Sequence, residues 1–298
     1  MHKTGSDPGI SRRDRLRAWY ELCKPGIAGY VMITVGVAAV VASRGRVELS
    51  LAIHAMLATG LGTAGSLALN QYAEREPDAI MHRTRHRPIP SGRLGPAEAR
   101  RFGTALFLLG LAYMYVFVGW LPALLSAVSA GAYHWVYRPL KSRSALATLA
   151  GAVPGAMPAL IGSTAATGRI EGCGLALFAI AYLWQLPHVL GLAWMLREDY
   201  ARVGFRLIPA GVDAERKVGR ALVAATLILV PASLLPTVLG YTGRGYLAGA
   251  LVASLAFLWV GLRSSRPLTD VSARRVFLTS LLFHPVLLCL MLLNTIKG

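Results

Sequence analysis

Residues 49–78 read LSLAIHAMLATGLGTAGSLALNQYAEREPD, and this stretch decides how the rest of the chain is read. From Leu49 to Leu69 no side chain carries a full charge. That is about the 20 residues a helix needs to cross the hydrocarbon of a bilayer. The polar atoms then arrive at once: Asn70, Glu74 and Asp78 follow at four-residue spacing. If the helix persists, that spacing stacks three oxygen-bearing side chains on one face. Pro77 is expected to end or bend the helix just before Asp78. The stretch therefore predicts a membrane helix that runs directly into a polar cluster.

The same reading extends to the whole chain. Of 298 residues, 55% are hydrophobic and 15% charged, against roughly 25% charged in soluble proteins. The mean hydropathy is +0.52. A soluble domain of this size needs more polar surface than that. Nine apolar segments are predicted as spans, at 26–44, 49–71, 102–120, 121–137, 145–165, 173–195, 219–240, 245–263 and 275–295. The expected fold class is an all-α polytopic membrane protein with nine transmembrane helices. Gly119-Trp120-Leu121-Pro122 turns the corner between the third and fourth, and Pro154 and Pro158 are expected to kink the fifth. Gly60-Leu61-Gly62 is read as a close-packing site within the second segment. Residues 1–25 read as a cytoplasmic tail without a secretory signal, and residues 26–298 as a single membrane domain.

A net charge of +17 raises the question of nucleic acid, but so apolar a chain has no water-facing scaffold for a basic groove. Position explains the charge better. With the N-terminus in the cytoplasm, 26 of the 31 Lys and Arg residues fall on the cytoplasmic side. Only Arg44, Arg46, Arg169, Arg244 and Lys297 fall outside, as the positive-inside rule requires. An odd number of spans then puts the C-terminus on the outer side. Twelve of the 14 acidic residues share the cytoplasmic side. The long polar loops there, 72–101 and 196–220, are where function is expected. Cys23, Cys173 and Cys289 are too far apart in sequence for a C-x-x-C pair and are read as buried, inert thiols.

Oxygen ligands on one stripe suit Mg²⁺, which takes one or two carboxylates together with water and phosphate. Three arginines follow within Met81-His82-Arg83-Thr84-Arg85-His86-Arg87-Pro88, and guanidinium forks match phosphate oxygens. The two features together suggest a Mg–diphosphate site; a solvated charged loop is the other reading. In the second loop Glu198 and Asp199 offer acids for a second ion, or a solvated helix end. Lys141, in Tyr137-Arg138-Pro139-Leu140-Lys141, is placed either to reach a diphosphate or to set topology. His188 lies well inside the sixth segment, where a polar side chain is costly. It is read as a haem contact, a substrate hydrogen-bonder or a packing residue. His54, His134 and His284 are read as packing residues.

Several of these stretches resemble the UbiA-type intramembrane prenyltransferases, and within them the haem O synthase branch. Glu21-Leu22-Cys23-Lys24-Pro25 is similar to the family's approach to its first helix. Asn70-Gln71-Tyr72 through Asp78-Ala79-Ile80-Met81, with Arg83-Thr84 and Arg87-Pro88, resembles its first aspartate-rich motif. Tyr137 to Lys141, Gly151-Ala152-Val153-Pro154-Gly155-Ala156 and Leu160-Ile161-Gly162 resemble its central segment, which points to the haem branch. Trp184-Gln185-Leu186-Pro187-His188 and Asp199-Tyr200-Ala201-Arg202-Val203-Gly204 resemble the second motif. Two departures stand out: Glu74 occupies a usual Asp position, and Phe205-Arg206-Leu207-Ile208-Pro209 replaces a Pro-Met-Leu-Pro-like run.

The resemblance implies a nine-helix bundle around a central cavity and Mg²⁺-dependent transfer of a farnesyl group from farnesyl diphosphate to a vinyl group of haem b. It implies Asn70, Glu74, Asp78 and Asp199 as metal ligands, Arg83, Arg87 and Lys141 as diphosphate ligands, and His188 as a haem-contact candidate. Its expected setting is the bacterial inner membrane, with the lipid bilayer and a haem A synthase or terminal oxidase assembly as partners and no nucleic acid. A UbiA-type enzyme acting on an aromatic or quinol precursor, and a non-catalytic haem or lipid transporter, are the competing expectations. No convincing internal repeat supports the transporter.

Overall fold

A computed structural model describes residues 11–298. Residues 1–10, the start of the expected tail, lie outside the described residues. The rest of the tail is helical: α1 covers Arg12–Cys23, and the Ser11 side chain accepts from the Asp14 backbone N–H to cap it. α1 docks through Ala18 and Leu22, and Trp19 packs on Phe102 at 4.7 Å between ring centroids. Gln71 Nε2 donates to the Leu22 carbonyl at 2.8 Å. Ion pairs from Arg93 to Glu21 and from Arg15 to Glu98, each 2.6 Å, hold it from outside.

The long helices follow as α2 (Pro25–Ala42) and α3 (Leu49–Ala73), the short α4 (Arg75–Ile80), then α5 (Pro96–Phe117) and α6 (Trp120–Gly131). α6 continues through a π-helical turn at Ala132–Tyr137 into the single turn α7 (Arg138–Leu140). Next come α8 (Ala147–Thr167), α9 (Gly172–Met195) and the short α10 (Arg197–Arg202), then α11 (Ala214–Val238), α12 (Arg244–Ser264) and α13 (Asp270–Asn294). Among the described residues seven helices, α2, α3, α8, α9, α11, α12 and α13, are long and apolar enough to cross a membrane. The expected third segment starts earlier than 102, because α5 gains a polar first turn carrying Glu98, Arg100 and Arg101. The expected fourth is built in series from α6, the π turn and α7. Large apolar side chains cover the outside: Trp135 is 81% and Leu293 82% exposed. Such a surface is stable against lipid and not against water. The protein is an all-helical, multi-pass integral membrane protein.

Helices pack closely where glycine lets backbones meet. A Cβ at Gly110 of α5 would lie 2.9 Å from the Ala58 carbonyl oxygen of α3, and one at Gly65 would lie 2.7 Å from that of Gly103. Small residues are what bring helices together where lipid removes the hydrophobic drive between them. α8 is packed between α2 and α9, and the expected kink does not interrupt it. Pro158 has no N–H for the Pro154 carbonyl; Ser129 Oγ donates to that oxygen instead, at 3.2 Å. α9, α11, α12 and α13 share the largest core, around Leu222, Leu229, Phe257 and Leu287.

The histidines read as packing residues take local partners. His54 pairs with the Tyr113 hydroxyl at 2.7 Å, His134 with Ser66 at 3.0 Å, and His284 with the Tyr30 hydroxyl. The cysteines differ from the expectation of three buried thiols. Cys173 is buried and Cys23 half-buried, whereas Cys289 is exposed on α13, where the surroundings are lipid.

Candidate active site

The interruption after α3 falls at Glu74, not at Pro77. Glu74 takes φ −103° and ψ 12°, and α4 restarts at Arg75. Pro77 lies in the first turn of α4, where a missing N–H costs nothing. The bonds from Glu74 N–H to the Asn70 carbonyl (2.9 Å) and from Asp78 N–H to the Glu74 carbonyl (2.8 Å) carry helical register across the break. The three oxygen-bearing side chains consequently stay together. They are almost wholly buried: Asn70 is 5%, Glu74 7% and Asp78 0% exposed.

α9 ends in the same way. Leu196 takes φ −104° and ψ 13°, and α10 restarts at Arg197. Asp199 does not point with the first set. Its carboxylate oxygens accept from the backbone N–H groups of His82 and Arg83, each at 3.3 Å. Burial pushes the Asp199 carboxyl up, but these two N–H bonds, with His82 and Arg202 nearby, outweigh it and hold the net value below the usual range. Asp199 thus ties α10 to the 82–83 turn. Its neighbour Tyr200 faces the site, and burial raises its phenol above the ordinary value.

A cavity of about 160 Å³ lies where these ends meet. Asn70, Glu74, Asp78, Arg83, Arg87 and Lys141, six of the eight expected site residues, line it. Lys141 Nζ lies 2.5 Å from Glu74 Oε1 in a buried pair, and Arg87, half-buried, donates to the fully buried Asp78 Oδ2 at 2.6 Å. Burial lowers the Lys141 ammonium below its ordinary value despite the Glu74 charge. Thr84 Oγ1 donates to the Asp78 carbonyl at 3.0 Å and folds the arginine loop back over the cavity.

Sequence reasoning gave no role to Lys24, Tyr133, Tyr137, Tyr200 or Phe205, which with Met81 and Leu207 complete the lining. Lys24 sits between α1 and α2 at φ +45°, a left-handed conformation rare outside glycine. That turn, followed by Pro25 at the first position of α2, carries the ammonium to the cavity. Among the described residues neither Lys24 nor Arg83 has a carboxylate within ion-pair distance. Burial, then the Arg87 and Arg83 charges, lower Lys24 to about 8. The legible signal was the Lys-Pro step at a helix start. Tyr137 lies over Gly151, where a Cβ would come within 2.7 Å of its ring. Phe205, at the departure from the family pattern, places its ring 4.1 Å from the Lys141 ammonium, a cation–π contact.

A second cavity, of about 260 Å³, lies within the bundle between α2, α3, α5, α6, α8 and α9 and shares the Tyr133 wall with the first. Ile27, Val31, Leu67, Phe107, Leu111 and Ile161 are among its apolar walls, and Gln185 is a polar one. His188 lines neither cavity. Its Nδ1 pairs with Ser280 Oγ at 2.8 Å, and its ring packs on Trp184 and Phe277.

The polar cavity suits a small hard cation. Asn70 Oδ1 and Asp78 Oδ1 are buried without a hydrogen-bond partner, a costly state unless something else satisfies them. Among the described residues no group of three His, Cys, Asp or Glu side chains converges to form a complete protein cage. Two carboxylates and an amide fit an ion that shares its coordination with water and phosphate.

The protoheme IX farnesyltransferase of Solibacter usitatus is 40% identical over 94% of this chain and 99% of its own length. A digeranylgeranylglyceryl phosphate synthase superposes with a TM-score of 0.77 at 18% identity, covering 96% of this chain and all of that one. A UbiA homologue from Archaeoglobus fulgidus, solved with GPP and Mg²⁺, gives a TM-score of 0.63 at 15% identity over 92% of this chain and 99% of that one. Residues 31–286 match the sequence pattern of one family, so the chain belongs to the UbiA prenyltransferase family.

Proposed function

We propose that the protein transfers a farnesyl group from farnesyl diphosphate to a vinyl group of haem b, with addition of water, giving haem O and diphosphate. The observation that carries this reading is a cation-lined polar cavity and an apolar one that share Tyr133 as a wall within a single helical bundle. The first suits the diphosphate and the second the isoprenoid. The choice of haem as acceptor rests on the 40% identical protoheme IX farnesyltransferase.

Asn70, Glu74 and Asp78 would hold Mg²⁺, as the buried, partnerless Asn70 Oδ1 and Asp78 Oδ1 suggest. When bound, the ion supplies positive charge where the leaving diphosphate gathers negative charge. Lys24 and Arg83, which have no acidic partner of their own, bind diphosphate oxygens. Lys141 and Arg87 lie beside the same oxygens and turn from their carboxylates toward the phosphate. Asp199 fixes the backbone of His82 and Arg83, and so the Arg83 side chain, in place of the direct metal role expected for it. The carbon–oxygen bond at C1 breaks, and its electron pair leaves on the diphosphate. The haem vinyl group attacks the allylic cation, and water then adds to the resulting carbocation beside the pyrrole. The apolar walls keep water from the first cation. No protein nucleophile is needed.

The polar cavity is placed at the cytoplasmic face of a bacterial inner membrane. The side holding 26 of the 31 basic residues supports that orientation. α5 and the α6–α7 run then complete nine crossings.

The direct test is to incubate purified protein with farnesyl diphosphate, Mg²⁺ and haem b and to weigh the extracted haem. A haem heavier by one farnesyl group and one hydroxyl group is expected, because the added water loses a proton. Diphosphate release that leaves haem b unchanged would overturn the acceptor assignment.

A further inference from the structure

Tyr133 is, among the described residues, the one side chain that lines both cavities. It belongs to the π-helical turn Ala132–Tyr137, a local register shift of the kind that recurs at functional sites. The turn is held in register by the His134–Ser66 hydrogen bond of 3.0 Å. Its two faces divide sharply. Trp135 points out to lipid, 81% exposed, while Tyr133 turns inward, its ring centroid 5.3 Å from that of Tyr137.

A prenyl diphosphate bound across the two cavities has one bond that passes from polar to apolar surroundings, the C1–oxygen bond that breaks. The geometry points to Tyr133 as a catalytic residue whose ring face stabilises the allylic cation at C1 and screens it from water. This inference rests on the prenyl-transfer reading above and adds a specific group at the reacting carbon. Heterolysis sends the C1–oxygen electron pair to the diphosphate and leaves the positive charge spread over C1 and C3. An aromatic face attracts a cation most strongly where water is excluded. The cation then has two fates. The vinyl electrons of the acceptor form the new carbon–carbon bond, or a water oxygen bonds to the cation and loses a proton, giving farnesol. A ring at the cavity junction favours the first fate by occupying the space through which water would come.

The test compares Tyr133→Phe with Tyr133→Leu in the purified full chain, supplied with farnesyl diphosphate, Mg²⁺ and haem b. Diphosphate release, the ratio of farnesylated haem to farnesol, and affinity for a non-hydrolysable farnesyl thiodiphosphate are read together. Tyr133→Phe should stay within about threefold of wild type, because the ring face is kept. Tyr133→Leu should lose about tenfold in kcat with KM within about twofold, and should divert product to farnesol. Wild-type kcat and product ratio in Tyr133→Leu, or equal losses in both variants, would overturn the proposal. If Tyr133→Leu fails to bind the analogue, Tyr133→Trp and Tyr133→Met repeat the comparison, with Trp expected to outperform Met and the reverse order overturning the proposal. Should wild type farnesylate some other acceptor, the haem reading fails. The order of ring-bearing over aliphatic variants in diphosphate release still decides the role of Tyr133.

Discussion

The ends of α3 and α9 are built alike and used differently. Each long helix stops at a residue with nearly the same backbone angles, Glu74 at φ −103°, ψ 12° and Leu196 at φ −104°, ψ 13°. Each restarts as a six-residue helix. At the first break Asn70, Glu74 and Asp78 occupy successive turns and are buried around a cavity. At the second the corresponding positions are Leu192, Leu196 and Tyr200, and the acids fall one or two residues off that register. The one-residue offset turns Asp199 from the cavity to the backbone of the first motif. The two acidic motifs are therefore not two copies of one device: the first faces the cavity, where the proposed function makes it the ligand set, and the second holds the first in shape.

Four experiments test that asymmetry. The largest effect is expected from Asp78→Asn, which should lower haem O formation by at least about a hundredfold. Asp199→Asn should cost about tenfold, mostly in KM, because it loosens a positioning contact. Steady-state rates on membranes compare the two, and equal losses would break the distinction. Lys141→Met should destabilise the fold by about 3–5 kcal/mol, since Glu74 is left buried without its counter-charge. Adding Glu74→Gln should restore part of that loss in a denaturation measurement.

A smaller effect concerns Lys24. Its ammonium titrates near pH 8, below its ordinary value. The charged form that binds an anion is present below that pH and lost as pH rises through it. Affinity for farnesyl diphosphate should fall above about pH 8, by up to about tenfold per unit. Lys24→Arg should flatten the profile, because a guanidinium keeps its proton. Titration calorimetry at pH 7 and 9 checks both. The smallest effect is expected at His188: His188→Ala should leave haem O formation within about threefold, since its ring packs on Trp184 and Phe277 outside both cavities. A large loss there would return His188 to the haem site.

Much of this was legible in the sequence because lipid imposes long apolar runs, and because four-residue spacing survives a helix break that preserves hydrogen-bond register. Asn70, Glu74 and Asp78 come together for that reason. Arg83, Arg87 and Lys141 were singled out because cations beside such a cluster match phosphate oxygens and because the stretches that carry them resemble the family's motifs. Lys24 showed in the sequence only as a Lys-Pro step at a helix start, and Tyr133 did not show at all. Each is placed by a backbone irregularity, a left-handed residue in one case and a π turn in the other, and neither leaves a periodic trace. The orientation of Asp199 was hidden too, because spacing along one motif says nothing about a hydrogen bond to another loop more than a hundred residues away.

The docking of α1 bears on how the protein is made. Its Leu22 carbonyl is met by Gln71, Glu21 by Arg93 and Arg15 by Glu98. All of these partners lie later in the chain, and chains emerge from the ribosome N-terminus first. α1 therefore emerges before its partners, and it is locked only after α3 and the start of α5 have been made. Until then α1 lacks these partners, and Lys24, which follows it, takes its final position as part of tertiary assembly.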